Sequence, residues 1–233
     1  MNIRVLAVAF FLVAVLAGCA SSTNAVLQTL QYVVQRDSAI AGVKLNPNFR
    51  YLRVTVDGRT ALLVLGYVDA HPQGPIQVWY SAEREVVSIQ NGRLVGAVGL
   101  TTEWRNVNTT ELPSWPVLAL GGTPLRLVRV RDVMPGYRYG VRDSLILRAI
   151  SPPTRSVLQG LNPSDLTWFE ESFETEDIGA FVPGQNTLPA ARYAVSVSGN
   201  VPQVLYGEQC LSADFCLTWQ VWPAVPNRSA SGE

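Results

Sequence analysis

Histidine is nearly missing: His71 is the single one among 233 residues. It stands in a Pro- and Gly-containing stretch, Asp69–Pro75, and its solitude removes most hydrolytic mechanisms that need an imidazole base. Cysteine is scarce too, at Cys19, Cys210 and Cys216. That supply includes no Cys-x-x-Cys redox pair. It also falls short of the four ligands of a structural metal site, so no metal or other cofactor is expected. Charge is sparse, at 15% of residues, and balanced to a formal net of zero, so nothing calls for nucleic acid as a partner. Lysine is reduced to Lys44, every other basic residue being arginine, a bias that high genomic GC content explains. A phosphate loop, His-Glu-x-x-His, Gly-x-Ser-x-Gly and a dinucleotide fingerprint are all absent.

The apolar run Val5–Ala17 is too short to span a bilayer comfortably. Arg4 precedes it, and it closes on Leu16-Ala17-Gly18-Cys19, the form of a bacterial lipobox. The reading is a lipoprotein leader over residues 1–18, with Cys19 as the lipidated first residue of the mature chain. Each buried CH₂ of the acyl chains contributes roughly 0.8 kcal/mol, so several chains anchor the protein firmly without a transmembrane helix. Ala20, rather than an aspartate, favours delivery to the outer membrane. Lipidation of Cys19 leaves Cys210 and Cys216 as a pair, which an oxidising compartment turns into a disulfide worth about 2 kcal/mol for so short a loop.

Beyond a tether at residues 19–24, one β-rich domain is expected over 25–226, with a flexible tail at 227–233. Val26, Leu27, Leu30, Val33 and Val34 recur at helical spacing and predict a short amphipathic helix. After Pro47 the period becomes two. Asp57-Gly58 and Asn91-Gly92 each separate two alternating runs and read as type I′ hairpin turns. Further strand-like runs are Val117–Leu120, Leu125–Val133, Ser144–Ile150, Leu166–Phe173, Arg192–Val197, Gln203–Tyr206 and Cys216–Trp222, whereas 174–190 reads as a long loop. The fold class is all-β: an antiparallel sandwich or barrel-like meander with a short N-terminal helix.

Three groups of residues invite a chemical reading. The tryptophans and several tyrosines, Tyr137 and Tyr139 among them, suit stacking on sugar rings, with core packing the plainer use. Trp79 alternates with Ile76, Val78 and Tyr80, which sets it on the less aliphatic face of its strand. Arg129 and Arg131 share one face of Leu125–Asp132, and Arg93 follows the Asn91-Gly92 turn. With Arg126, Arg138, Arg142 and Arg148, the pair Arg129 and Arg131 suits bidentate contacts with an acidic polysaccharide or lipid phosphate, and Arg93 suits a contact with a partner. The plainer expectation is a solvated face paired with Asp132, Asp143 or glutamates elsewhere. Arg126 falls out of step with Arg129 and Arg131, which calls for a bulge near Leu127 or a different use for that side chain. Glu170 and Glu171 suggest a glycosidase pair, yet neighbours on a strand point to opposite faces and cannot flank one bond.

The segments Gln77–Ser81 (QVWYS), Glu85–Val95 (EVVSIQNGRLV), Val98–Leu100, Tyr137–Gly140 (YRYG) and Trp168–Glu171 (WFEE), following a lipobox in that order, resemble the YjbF/GfcB family of lipoproteins. The resemblance extends from about Ala25 to Trp222 and its motifs are structural, not catalytic. It implies an antiparallel β fold, an outer-membrane location facing the periplasm, and work in capsule or exopolysaccharide secretion. It also implies a periplasmic partner, an outer-membrane barrel and a polysaccharide export lipoprotein as neighbours. It carries no catalytic residue, and the Cys210–Cys216 pair is not one of its hallmarks. The expected role is a non-enzymatic accessory that touches polymer or export machinery. The alternatives are a carbohydrate-active lyase or glycosidase and a scaffold for an outer-membrane barrel.

Overall fold

The computed structural model describes residues 40, 43–110, 115, 123–174, 188–197 and 201–224. The leader, Cys19, the tether, the helix expected over 25–35, the run Val117–Leu120, most of the loop expected over 174–190 and the tail lie outside the described residues.

Twelve antiparallel strands close into one barrel. In chain order they are β1 (Tyr51–Val56), β2 (Arg59–Asp69), β3 (Ile76–Tyr80), β4 (Val86–Gln90), β5 (Arg93–Val98) and β6 (Glu103–Thr109). They continue with β7 (Leu125–Met134), β8 (Arg138–Ile150), β9 (Thr167–Phe173), β10 (Ala191–Ser196), β11 (Gln203–Ser212) and β12 (Phe215–Trp222). Each strand pairs with its neighbours in sequence, and β1 meets β12 with Tyr51 opposite Trp222 to complete the ring. The meander form of the sequence expectation is therefore the one adopted, and closure gives every strand a partner on both sides over at least part of its length.

Turn chemistry sets the register. Asp57 and Gly58 have φ of 48° and 72°, and Asn91 and Gly92 have 49° and 76°, the left-handed pairs of type I′ turns. With the turns fixed, alternation sends one row of each strand into the lumen. Leu52 and Val54, Leu63, Trp79, Val87, Ala97, Trp104, Leu127 and Val133, Leu145 and Leu147, Phe169, Tyr193, Leu211, Leu217 and Trp219 form one continuous core. A barrel of about eight strands is just filled by ordinary side chains. Twelve enclose more, and the extra volume is taken up by tryptophans and by Trp115 and Leu188, which enter the core from the β6–β7 and β9–β10 connections.

The outward row differs from strand to strand. Over β9–β12 the chain following β8 crosses outside the barrel, burying Trp168, Ala194 and Tyr206 beneath Leu158 and Leu166. There Gln220 and Gln159 exchange hydrogen bonds at 2.7 and 2.9 Å, and Tyr206 receives the Val157 N–H at 3.2 Å. Over β7–β9 the outward row carries Arg126, Asp132, Arg142, Arg148 and Glu170, not the apolar band that a lipid-facing strand requires.

The β4–β5 turn leans across the barrel mouth: a Cβ on Gly92 would overlap the Val204 side chain of β11, whereas Gly58 in the matching β1–β2 turn has open space around it. Gly58→Ala should thus cost about 1 kcal/mol, from left-handed backbone strain alone. Gly92→Ala should cost about 1–3 kcal/mol more through overpacking. Urea unfolding of the two variants checks this, and equal losses would contradict the packed turn.

Candidate functional site

Charged side chains penetrate the lumen. Arg129 and Arg131 stand on β7 between Leu127 and Val133, in the row that faces inward, and Asp143 stands on β8 between Val141 and Leu145. Asp143 takes both: its Oδ2 accepts Arg129 Nε at 2.9 Å and Arg131 Nε at 2.7 Å, and its Oδ1 accepts Arg131 Nη2 at 3.1 Å. Glu171 on β9 accepts Arg129 Nη1 at 3.3 Å and, through its other oxygen, Arg93 Nε at 3.2 Å. The result is an unbroken chain, Arg93–Glu171–Arg129–Asp143–Arg131, with every residue at most 5% exposed. Three arginines face two carboxylates, so the cluster holds one positive charge in excess.

Aromatic rings close around these cations. Arg129 and Arg131 lie 4.6 and 4.7 Å from the Trp104 ring, and Arg93 lies 4.1 Å from Trp115 and 5.6 Å from Tyr193. The rings are themselves tied: Trp104 Nε1 donates to the Leu211 carbonyl at 2.9 Å and Trp115 Nε1 to the Asn91 carbonyl at 2.8 Å. Burial, reinforced by the Glu171 carboxylate, pushes the Tyr193 phenol far above its usual range, so it remains a neutral O–H that donates to Gln209 at 3.3 Å. Arg93 Nη1 and Nη2 have no hydrogen-bond partner among the described residues, which leaves the faces of Trp115 and Tyr193 as their compensation. The space left beside Arg129, Glu171, Phe173, Leu188 and Gln209 is about 10 Å³, no more than a single water needs.

Several expectations are corrected by this placement. Arg93, Arg129 and Arg131 do not lie on a solvated face. Arg93 is buried because its turn leans into the mouth, and the two β7 arginines are buried because their row is the lumenal one. The partner expected in Asp143 is the one found, while Asp132 points outward and accepts from Asn106 and Gly140 at 2.8 Å each. Those two bonds hold the Asp132 carboxyl below its usual range. Trp79 is 1% exposed, inside the barrel opposite Leu65 and Val87; the face that looked more aliphatic, with Val78 and Tyr80, is the outer one. No bulge occurs at Leu127, since the β7–β8 register shifts only between Arg131 and Val133. Arg126 simply points outward, to Glu174 at 2.8 Å.

Glu170 and Glu171 do take opposite faces. Glu171 joins the lumenal chain, whereas Glu170 binds Arg148 at 2.7 Å and Arg192 at 3.3 Å outside. The Arg148 hydrogen bond holds the Glu170 carboxyl below its usual range despite partial burial. Cys210 and Cys216 are joined in a disulfide between paired positions of β11 and β12. His71 belongs to a polar knot at the barrel mouth, where Gln90 Nε2 lies 2.8 Å from its Nδ1 and 2.7 Å from the Gly74 carbonyl. Among the described residues no group of three His, Cys, Asp or Glu side chains is placed to hold a metal ion.

Sequence reasoning sets Arg138 and Arg142 among the candidate polymer-binding cations and Tyr137 and Tyr139 among the candidate sugar-stacking aromatics, and all four fall on the β7–β8 hairpin. Its turn holds Gly136 and Tyr137 at φ of 100° and 51°, and the rings of Tyr137 and Tyr139 are 74% and 66% exposed. Arg138 and Arg142 beside them are exposed and have no carboxylate within salt-bridge distance among the described residues. The family motif Tyr137–Gly140 carried the signal, as two aromatics set around a glycine-permitted turn.

Removing one member of the lumenal chain strands the others. Asp143→Ala should cost about 3–5 kcal/mol in chemical denaturation, because buried Arg131 loses the carboxylate it is paired with and buried Arg129 loses one of its two. Glu174→Ala, which breaks only the pair with the 79% exposed Arg126, should cost under about 1 kcal/mol. Comparable losses would contradict the distinction between lumen and surface.

Comparison with known proteins fits the barrel. No match is found among the curated protein sequences. Among solved structures, the hypothetical lipoprotein YmcC of Escherichia coli K12 superposes with a TM-score of 0.53 at 16% identity, over 89% of this chain and 98% of that one, which establishes a shared fold. The family described as group 4 capsule polysaccharide lipoprotein GfcB, YjbF, matches residues 27–203, ending where β11 begins and before the disulfide hairpin. With most of its length matched in this way, the chain belongs to the YjbF family of capsule-polysaccharide-associated lipoproteins.

Proposed function

We propose that the protein is a lipid-anchored accessory of capsule or exopolysaccharide secretion, held by Cys19 on the periplasmic face of the outer membrane and acting by contact, not by catalysis. The observation that carries this reading is the occupation of the barrel interior. The two buried carboxylates among the described residues, Asp143 and Glu171, are each held by two arginines, and neither is available as a general acid or base. On the outer wall Glu170 is held by Arg148 and Arg192 in the same way. A glycosidase needs one free carboxylate on each side of a bond in an open cleft. This arrangement instead makes a rigid, filled body whose outer surface does the work. The polar outward rows of β7–β9 suit a domain bathed in periplasm, and the lipobox at Leu16–Cys19 supplies the attachment. The partners in this reading are the export apparatus, namely a periplasmic partner, an outer-membrane barrel and an export lipoprotein, together with the polymer.

In a strain lacking the protein, secreted polymer should fall and be restored by the wild-type gene. Cys19→Ser should yield an unacylated precursor or soluble form by intact mass and fractionation, and should restore secretion poorly. Undiminished polymer in the deletion strain, or normal outer-membrane fractionation of Cys19→Ser, would overturn the reading.

A further inference from the structure

The longest strand of the barrel, β8, extends past its neighbour β9. β6 pairs with β7 from Arg129 to Met134, and β9 pairs with β8 only from Leu145 to Ile150, with one further bond from Glu174 N–H to the Ser144 carbonyl. Residues Arg138–Asp143 of β8 are therefore paired to β7 on one side and to no described strand on the other. Asp132 braces the base of this projection by accepting the Gly140 N–H and the Asn106 side chain.

The projection displays an unusual set of groups. Tyr137 and Tyr139 are the most exposed aromatic side chains among the described residues. Arg138 lies between them and Arg142 just beyond, and neither forms an ion pair there. The contrast with the remaining outward arginines of the neighbouring wall is informative: Arg126 is held by Glu174, Arg148 by Glu170, and Arg192 by Glu170 and Glu208. Guanidinium groups without an ion pair among the described residues, on the same hairpin as two exposed tyrosines, match a ligand that offers carboxylates or other anions at intervals along a chain with C–H faces between them. A protein partner would favour a contiguous apolar area, and here the rings are separated by arginine and glycine. A lipid surface would favour deeper apolar groups than two hydroxyl-bearing rings.

Resting on the proposed secretion role, we infer that the β7–β8 hairpin is a binding site for an acidic polysaccharide, with Arg138 and Arg142 taking its anionic groups and Tyr137 and Tyr139 stacking on its sugar faces.

The test uses the full-length lipoprotein in detergent with alginate oligomers as the acidic probe, dextran of matched length as the neutral one, and vesicles rich in phosphatidylglycerol. The wild type should bind alginate in a salt-sensitive manner and ignore dextran. Arg138→Gln/Arg142→Gln and Tyr137→Ala/Tyr139→Ala should each weaken alginate binding at least about tenfold with unchanged thermal melting. Alginate binding that both double variants retain, equal binding of dextran, or hairpin-dependent binding of vesicles without alginate binding would overturn the inference. Its failure is separable from failure of the secretion role: hairpin variants that bind normally while the deletion strain still loses secretion sink only the site. Undiminished secretion in the deletion strain sinks the role itself.

Discussion

The ion chain Arg93–Glu171–Arg129–Asp143–Arg131 is the constraint around which the barrel is organised. It ties β5, β7, β8 and β9 across the lumen, with Arg129 as the joint between the two carboxylates. A twelve-strand ring has an interior too wide for aliphatic side chains to fill from opposite walls. Arginine reaches far into such a space and stacks on tryptophan once there, which is how Trp104 and Trp115 come to share the core with charge. Pairs of this kind add little net stability over a well-packed apolar core, but each is costly to break. Their contribution here is to fix which strand faces which, since a one-residue slip of β7 would turn Arg129 and Arg131 outward, leaving Asp143 buried without either arginine and Glu171 with Arg93 alone.

A body so filled separates architecture from activity. The inward rows, with their tryptophans, arginines and carboxylates, hold the barrel shut. The outward rows differ between sectors: a strap of chain over β9–β12, paired charges on β8–β10, and a β7–β8 tip whose arginines have no ion pair among the described residues. In this member of a capsule-polysaccharide lipoprotein family, the differences between sectors thus lie on the outward rows.

The hairpins were legible in the sequence because type I′ turns demand particular residues, and Asp57-Gly58 and Asn91-Gly92 supply them. The opposition of Glu170 and Glu171 was legible for the same sort of local reason. The side that each face of a strand would take was not. Trp79 was assigned by the aliphatic character of its neighbours, yet β3 is covered on both faces near Val78, so that contrast carried no information. The arginines were assigned by the general preference of charge for water. The overlooked signal was parity: Leu127, Arg129, Arg131 and Val133 on one strand, and Val141, Asp143, Leu145 and Leu147 on the next, place opposite charges within otherwise apolar rows. Closure between β1 and β12 joins the far ends of the domain and leaves no local trace.

The most direct measurement of the account is hydrogen exchange at the arginine Nε–H groups, followed by nitrogen-resolved NMR. If the lumenal chain exists as described, the Nε–H of Arg93, Arg129 and Arg131 should exchange at least about a hundredfold more slowly than that of the exposed Arg126. Exchange at a common fast rate would mean that water reaches the cluster, and the interior would then be an open site instead of a sealed core.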